Sequence, residues 1–390
     1  MKQKISYAQV GDDYDTKDPI KKLAQNAAKS TAVNLKKYGF REITDSRGES
    51  AYVWSFDSAR NRIVSGSAQD KSFDSTQDKQ DFCLASVIEG LGTKNLVADA
   101  MLKITGKTYY DVIGHDTVAT IINDLVTVGA IPLVIHAYWA IENNDWLQDR
   151  VRMRDLIGGW KSACDLAGVS WGGGETPTLK GIVVPDTVDL GGSATGIIRP
   201  KTNLITDKKL RAGDRILLLK SAGINANGLS LARVIAKKLP KGYATKLANG
   251  KMYGEEILHK THIYAKLIQD LLTKKIDLHY ISNITGHGLR KLMRARPNFS
   301  YVVERIVKPP SLFDFIQEKA SLADFEMYQT FNMGMDYALF LPEREVKKAQ
   351  IIIKKHGFDS LNAGYVEKGK KQVVIKPKNL VYDGSSLDLR

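Results

Sequence analysis

Glu326-Met327-Tyr328-Gln329-Thr330-Phe331-Asn332-Met333-Gly334 is the stretch on which the reading of this chain turns. It mixes acidic, amide, aromatic and thioether side chains with neither a clean helical nor a clean strand period, so packing alone does not account for it. Upstream of it, Ile284-Thr285 leads into Gly286-His287-Gly288. Two more loops share that design of an apolar strand, then glycines, then a polar or charged residue. They are Glu89-Gly90-Leu91-Gly92-Thr93-Lys94 and Gly172-Gly173-Gly174-Glu175-Thr176. Glycine lets backbone N–H groups approach a phosphate closely, because no Cβ intervenes. None of the three has P-loop spacing or a dinucleotide fingerprint. Each alone reads as an ordinary turn; together, with polar runs beside them, they point to phosphate binding.

Working outward, strands and helices alternate through both halves. Apolar runs at 82–88, 131–137, 169–175 and 190–198 read as strands, and 116–127 and 155–167 read as helices with one apolar face. Residues 199–213 hold Pro200, Asn203, Asp207 and Gly213 and read as a boundary. Beyond it, strands are expected at 215–220, 279–284, 337–341 and 373–375, and helices at 229–238, 257–272, 289–294 and 343–356. The pattern predicts an α/β (α+β) fold of two domains, 1–204 and 205–390. Residues 55–81 stand apart: Ser, Asp, Gln and Lys dominate, and Gln69-Asp70-Lys71 recurs as Gln77-Asp78-Lys79. Such a composition buries too little apolar surface to offset its ordering entropy, so it is expected to be an inserted low-complexity loop.

The 390 residues carry a net charge of +14, with 43% hydrophobic and 26% charged side chains. The positive charge fits attraction of anionic ligands such as nucleotides, but reads first as a lysine-rich solvated surface. Much of the excess lies in runs such as Lys347-Lys348 and Lys354-Lys355, interleaved with Ile351, Ile352 and Ile353 as on solvated faces. No nucleic-acid partner is expected. No apolar stretch is long enough for a membrane span, and the N-terminus does not read as a signal peptide. Two cysteines, Cys83 and Cys164, give neither a disulfide framework nor metal-ligand spacing and fit a reducing cytoplasm.

On the helix expected from Asp116, the angular step puts Asp116 and Asn123 on one face, with Asp124 at its border. Hard oxygen ligands of this kind suit Mg²⁺. From the residues alone, a solvated polar face beginning with a favourable N-terminal aspartate is the preferred reading. Glu175 after three glycines is harder to explain as surface decoration.

Taken in order, these segments resemble the phosphoribosylformylglycinamidine cyclo-ligase (aminoimidazole ribonucleotide synthetase) family. Ser6-Tyr7-Ala8-Gln9-Val10-Gly11-Asp12-Asp13-Tyr14-Asp15 is similar to the family's SYxxAGVDxD, and residues 89–94 to DGVGTK. Asp116 and Ile122-Asn123-Asp124-Leu125 resemble GxDLVxMxVNDL, and Gly173-Gly174-Glu175-Thr176 matches GGET. Residues 222–231, with Asn225, Asn227, Gly228 and Ser230, resemble SGxHSNGYSL; residues 285–289 resemble TGGGL; and 326–334 resembles EMYRTFNxG. The resemblance implies the two-domain fold shared with thiamine-monophosphate kinase and selenophosphate synthetase, a homodimer paired through N-terminal-domain sheets, and ATP with Mg²⁺ in the cleft between domains. The implied reaction converts formylglycinamidine ribonucleotide and ATP to aminoimidazole ribonucleotide, ADP and phosphate. ATP activates the formyl oxygen, an amidine nitrogen attacks, and phosphate leaves.

By the same resemblance, Lys94 contacts ATP phosphates; Glu89, Asp116 and Asp124 hold Mg²⁺; and Lys94, Asp116, Glu175, Asn225 and His287 are the candidate catalytic set. Gly90, Gly92, Thr93, Gly173, Gly174, Thr176, Asn227, Gly228, Ser230, Thr285 and Gly286 are the expected ATP and substrate contacts. The departures are Glu89 for an aspartate, Asn225 for a histidine, His287 for a glycine and Thr178 for a glutamate. They keep two other readings open: another ATP-dependent kinase or synthetase of the superfamily, and a catalytically silent nucleotide-binding paralogue.

Overall fold

The computed structural model describes residues 14–56 and 82–387. Most of the family-like opening 6–15 and of the expected loop 55–81 lies outside the described residues. Ser55 and Phe56, assigned to that loop from the sequence, instead end a strand; Ser55 is buried.

Two sheets organise the described chain. The first contains β1 (Phe40–Glu42), β2 (Tyr52–Phe56), β3 (Cys83–Gly90), β4 (Ile131–Ile141), β5 (Ser170–Glu175) and β6 (Val188–Ile198), in the order β1-β2-β3-β6-β4-β5. Only the β4–β5 pairing is parallel. The second contains β7 (Arg215–Lys220), β8 (Tyr280–Asn283), β9 (Phe299–Val303), β10 (Met335–Leu341), β11 (Ser360–Lys368), β12 (Gln372–Ile375) and β13 (Leu380–Asp383), in the order β13-β12-β9-β11-β7-β10-β8. β7 and β10 are apolar nearly throughout and buried on both faces, as inner strands of a covered sheet should be.

The helices of the first half are α1 (Tyr14–Thr31), α2 (Asn95–Thr105), α3 (Tyr110–Leu125) and α4 (Arg150–Ala167); α5 (Leu229–Lys238) follows β7. α4 begins earlier than its apolar pattern suggests because the Asp149 carboxylate caps it, accepting from the Val151 and Arg152 N–H groups. α3 and α4 meet backbone to backbone. A Cβ on Gly159 would lie 2.1 Å from the Asp111 carbonyl oxygen, and one on Gly114 would lie 2.4 Å from that of Leu156.

α3 is the helix on which both halves converge, and three sequence readings change there. It starts at Tyr110, so Asp116 sits in mid-helix and not at its N-terminus. Its polar face is buried, not solvated: Asp116, Asn123 and Asp124 all turn toward the second half. The single helix expected over 257–272 is two, Tyr253–Ile257 and Ala265–Thr273, parted by a non-helical strap at 258–264. The strap leaves the helical state because α3 and Lys94, just ahead of α2, capture its backbone groups. Thr261 N–H donates to Asp116, Tyr264 N–H donates to Asn123, and the His259 and His262 carbonyls accept from Lys94 and Asn123. A helix would spend those groups on itself.

Candidate active site

A cleft of about 320 Å³ opens where β3 and the C-terminal end of α3 face the loops that follow β7 and β8. From the first half come Glu89, Gly90, Asn123 and Asp124; from the second, Asn225, Asn227, Thr285, Gly286 and His287. Among the described residues three carboxylates line it, Glu49, Glu89 and Asp124, and the last two interact. Asn283 Nδ2 donates to Asp124 Oδ1 at 2.7 Å. Burial, and then the Asp124 carboxylate beside it, push the Glu89 carboxyl up to about 7, while Lys291 and Arg294 pull it back. Two acidic groups this close favour one shared proton, or a cation, between them.

Asp116 does not join them. It lies two helical turns and more from Asp124, about 12 Å along the axis at 1.5 Å per residue, so the two carboxylates cannot converge on one ion. Its Oδ2 accepts from Lys94 Nζ at 2.5 Å and its Oδ1 from the Thr261 N–H at 2.8 Å. Both side chains are fully shielded from solvent. Lys94 spends a second hydrogen on the His259 carbonyl at 2.8 Å. The expected phosphate contact and metal ligand are therefore joined to each other and hold the strap, whose Thr261 lines the cleft. Among the described residues no three His, Cys, Asp or Glu side chains converge as an ion-binding group.

The stretch 326–334 acts on the cleft indirectly, as a seat for its loops. Its first part is helical (Asp324–Thr330), a period hidden because residues on more than one face are buried; Glu326 accepts from the Ala323 N–H at the helix start. Asn332 Nδ2 donates to the Gly223 carbonyl at 2.9 Å, and Ser221 N–H to the Gly334 carbonyl at 3.0 Å. Gly228, at φ 78°, lies against the Phe331 ring, where a Cβ would come within 2.1 Å. Gly288, at φ 54°, lies against the Tyr328 carbonyl, where a Cβ would come within 2.3 Å. Both cleft loops therefore rest on one platform, and glycine is what lets them reach it. His287 is buried beside this contact and lines the cleft.

Other expected contacts are spread more widely. Gly92, at φ 74°, turns the chain just behind Ala226, and the buried Thr93 Oγ1 has no hydrogen-bond partner. Ser230 stands in the first turn of α5. Gly173, Gly174, Glu175 and Thr176 are not brought to this cleft. They lie at the edge strand β5 and just beyond it, three strand positions from β3, about 14 Å at ordinary spacing. Gly174 is needed there for packing, since its Cβ would strike the Ala137 carbonyl at 2.2 Å.

Sequence reasoning missed Gly48, Glu49, Ser50, Lys291 and Arg294, all of which line the cleft. Arg294 donates to the Gly48 carbonyl at 2.9 Å and to Ser50 Oγ at 2.8 Å, and the Tyr280 hydroxyl donates to Glu49 at 2.8 Å. The one signal was an acidic residue in a Gly–Ser turn between two short strands, which carries no chemistry until the fold brings arginine to it.

Two outcomes are expected. Lys94→Met leaves the Asp116 charge buried and unpaired and costs about 3–5 kcal/mol, whereas Lys94→Met with Asp116→Leu recovers much of that loss; guanidinium unfolding of the three proteins measures both. For Glu89, the folded-state pKa of about 7 stands above its ordinary 4.5. The associated stability is fully present below pH 4.5 and is lost as pH rises through about 7. Glu89→Gln therefore gains on the parent across that window in ligand-free protein. Urea midpoints on both sides of it should show the gap opening with pH; a gap that stays constant contradicts the carboxylate pairing.

Comparison with known proteins agrees with this architecture. The family model for the N-terminal domain of AIR synthase related proteins matches residues 76–198, and that for the C-terminal domain matches 211–376. A phosphoribosylformylglycinamidine cyclo-ligase of Carboxydothermus hydrogenoformans is 34% identical over 298 residues, covering 75% of this chain and 83% of that protein. One from Thermococcus kodakarensis is 35% identical over 291 residues, covering 74% and 80%. Among solved structures, thiamine-monophosphate kinase from Stenotrophomonas maltophilia K279a superposes with a TM-score of 0.54 at 14% identity, covering 82% of this chain and 95% of that one. Hydrogenase maturation protein HypE in complex with ATP gives 0.51 at 17%, covering 68% and 76%. At such identities these structures speak to the fold alone. Through both domain matches and more than 30% identity over most of its length, the chain belongs to the phosphoribosylformylglycinamidine cyclo-ligase family.

Proposed function

We propose that the cleft between β3, α3 and the loops after β7 and β8 is where this chain carries out its family's reaction. That reaction is the ATP-dependent closure of formylglycinamidine ribonucleotide to aminoimidazole ribonucleotide, ADP and phosphate. The observation that carries the assignment is the meeting of opposite requirements in one cleft: a carboxylate pair, the half-buried Glu89 and the buried Asp124, with Lys291 and Arg294 beside it. A triphosphate and a phosphorylated substrate both need cationic neutralisation and close positioning more than covalent help. The N-terminus of α5, entered through Asn227 and Gly228, adds backbone N–H groups of the kind that favour phosphate. HypE, a protein of similar fold, has been solved with ATP.

Glu89 and Asp124 fit Mg²⁺: both are hard oxygen donors, the Asp124 charge helps push the Glu89 carboxyl up, and a divalent ion relieves that repulsion. Bound there, the ion supplies charge neutralisation for ATP phosphates. In the proposed chemistry the formyl oxygen takes the terminal phosphoryl group of ATP. An amidine nitrogen then forms the new C–N bond, the C–O bond to phosphate breaks, and the nitrogen sheds its proton. Lys94 and Asp116 serve by fixing the strap that carries Thr261 to the cleft wall. Asn227, Thr285, Gly286 and His287 border the reacting groups.

The same reading includes a cytoplasmic homodimer. Cys83 and Cys164 are free thiols, suited to a reducing compartment. No described helix is long and apolar enough to cross a membrane. On the first sheet, Ile88 of β3 and Leu133 and Tyr138 of β4 stand 77%, 46% and 41% exposed. An uncovered apolar sheet face of that kind marks a pairing surface. Leu133→Asp with Ile88→Asp should convert a dimer to a monomer in light scattering; an unchanged mass, or a monomeric parent, removes this face as the interface.

The activity is tested with purified protein, Mg²⁺, ATP and formylglycinamidine ribonucleotide. Phosphate and aminoimidazole ribonucleotide should appear in equal amounts, and Asp124→Asn should lose both together. ATP binding with neither product would leave the silent paralogue; phosphate from another small substrate would leave the related kinase or synthetase.

A further inference from the structure

Asn225 stands where the family resemblance places a histidine, and one end of its amide is already committed. Its Nδ2 donates to Asp336 Oδ2 at 2.9 Å. Asp336 is shut off from solvent in β10, and its Oδ1 accepts from the Tyr264 hydroxyl at 2.6 Å. Burial pushes the Asp336 carboxyl up, and the Tyr264 hydroxyl is the first group that pulls it back. An amide has one donating and one accepting end, so a carboxylate that takes the NH₂ group dictates where the carbonyl goes. That carbonyl, Asn225 Oδ1, is buried without a hydrogen-bond partner, on a residue that lines the cleft. The backbone of Asn225 is left-handed at φ 60°, a conformation asparagine tolerates better than most residues.

Tyr264 is held as firmly as the group it holds. Its N–H donates to Asn123 Oδ1 at 3.0 Å, and its ring lies 4.7 Å from that of Tyr337. The Tyr337 hydroxyl in turn donates to the Asn123 carbonyl at 2.9 Å. A continuous chain of contacts therefore runs from α3 of the first half through the strap to the loop of the second.

We propose that Asp336 and Tyr264 are positioning residues for the ring closure, locking the Asn225 amide so that Oδ1 is offered to an N–H group of the substrate. This rests on the cyclo-ligase reading above and names the group recognised: an amidine or formamide N–H, the donor that the nitrogen entering the ring carries. A histidine could exchange a proton with that nitrogen; the amide orients it and leaves proton removal to another acceptor.

A double-mutant cycle tests the proposal in the full-length protein. Asp336→Asn keeps the shape but can turn a donor toward Asn225, so the amide is free to invert. Hydrogen bonds to charged groups are worth roughly tenfold to a hundredfold, and kcat/KM for the ribonucleotide should fall by that order while the KM for ATP holds. In an Asn225→Ala background the same substitution should do little more, because residues acting as one unit are not additive. Fully additive losses would overturn the proposal. Tyr264→Phe carries the same cycle should Asp336→Asn fail to fold. A second readout does not depend on turnover: the side-chain NH₂ resonances of Asn225, assigned by their loss in Asn225→Ala. In the parent they should be distinct and slow to exchange, and they should shift or average in Asp336→Asn and Tyr264→Phe. A parent without turnover removes the cyclo-ligase reading and leaves the resonances to decide; resonances unchanged in both variants sink the lock itself.

Discussion

A lysine and an aspartate with no access to water hold the two halves of this protein in register. Removing two charges from solvent is costly, and their attraction offsets it only when every remaining hydrogen-bonding position is filled. Lys94 and Asp116 meet that requirement through the strap, whose His259 carbonyl and Thr261 N–H complete the set. The strap has no comparable freedom to lie elsewhere, since moving it would strand both charges. Asn123 repeats the arrangement further along, and Thr261 reaches the cleft as a result. Groups that look like chemistry in the sequence are here the condition for the chemistry to be placed.

The second half makes the complementary wall by steric means. The platform at 326–334 offers the Phe331 ring to Gly228 and the Tyr328 carbonyl to Gly288, at distances no Cβ could share. Side-chain amides and backbone carbonyls then fix the loop ahead of Gly228, through Asn332 and Gly223. The cleft is thus bounded on one side by electrostatic necessity and on the other by close packing. Both walls are held by contacts within the chain itself, and fixed positioning of this kind is what phosphoryl transfer asks of a cleft.

The alternation of strands and helices, the glycine loops and the stretch 326–334 were legible because each is a local pattern. The strap was not, because 257–272 has a good helical period and only tertiary capture by Asp116 and Asn123 defeats it. Asp116 and Asp124 looked like one cluster because the angular step was counted and the axial rise was not. Gly173 to Thr176 reads as a third phosphate loop but lies outside this cleft; Gly174 abuts the carbonyl of Ala137 on the neighbouring strand, while a Cβ on Gly173 would meet nothing. Glu49 and Arg294 could not be paired from sequence at all, since their meeting depends on how the turn before β2 docks on the second half.

The hairpin formed by β2 and β3 has a consequence for how this chain could have acquired length. Ser55 is partnered by Cys83, so the backbone leaves and re-enters the sheet about one strand spacing, roughly 5 Å, apart. Register is set within the sheet by the pairs from Tyr52 and Ser86 to Ser55 and Cys83, and not by what joins them. Closing a longer connection costs only about 0.6 kcal/mol per doubling. Residues can therefore be gained or lost between these strands while Glu89, at the far end of β3, keeps its place in the cleft. The protein has a point of tolerance on the same strand as a carboxylate that lines its cleft.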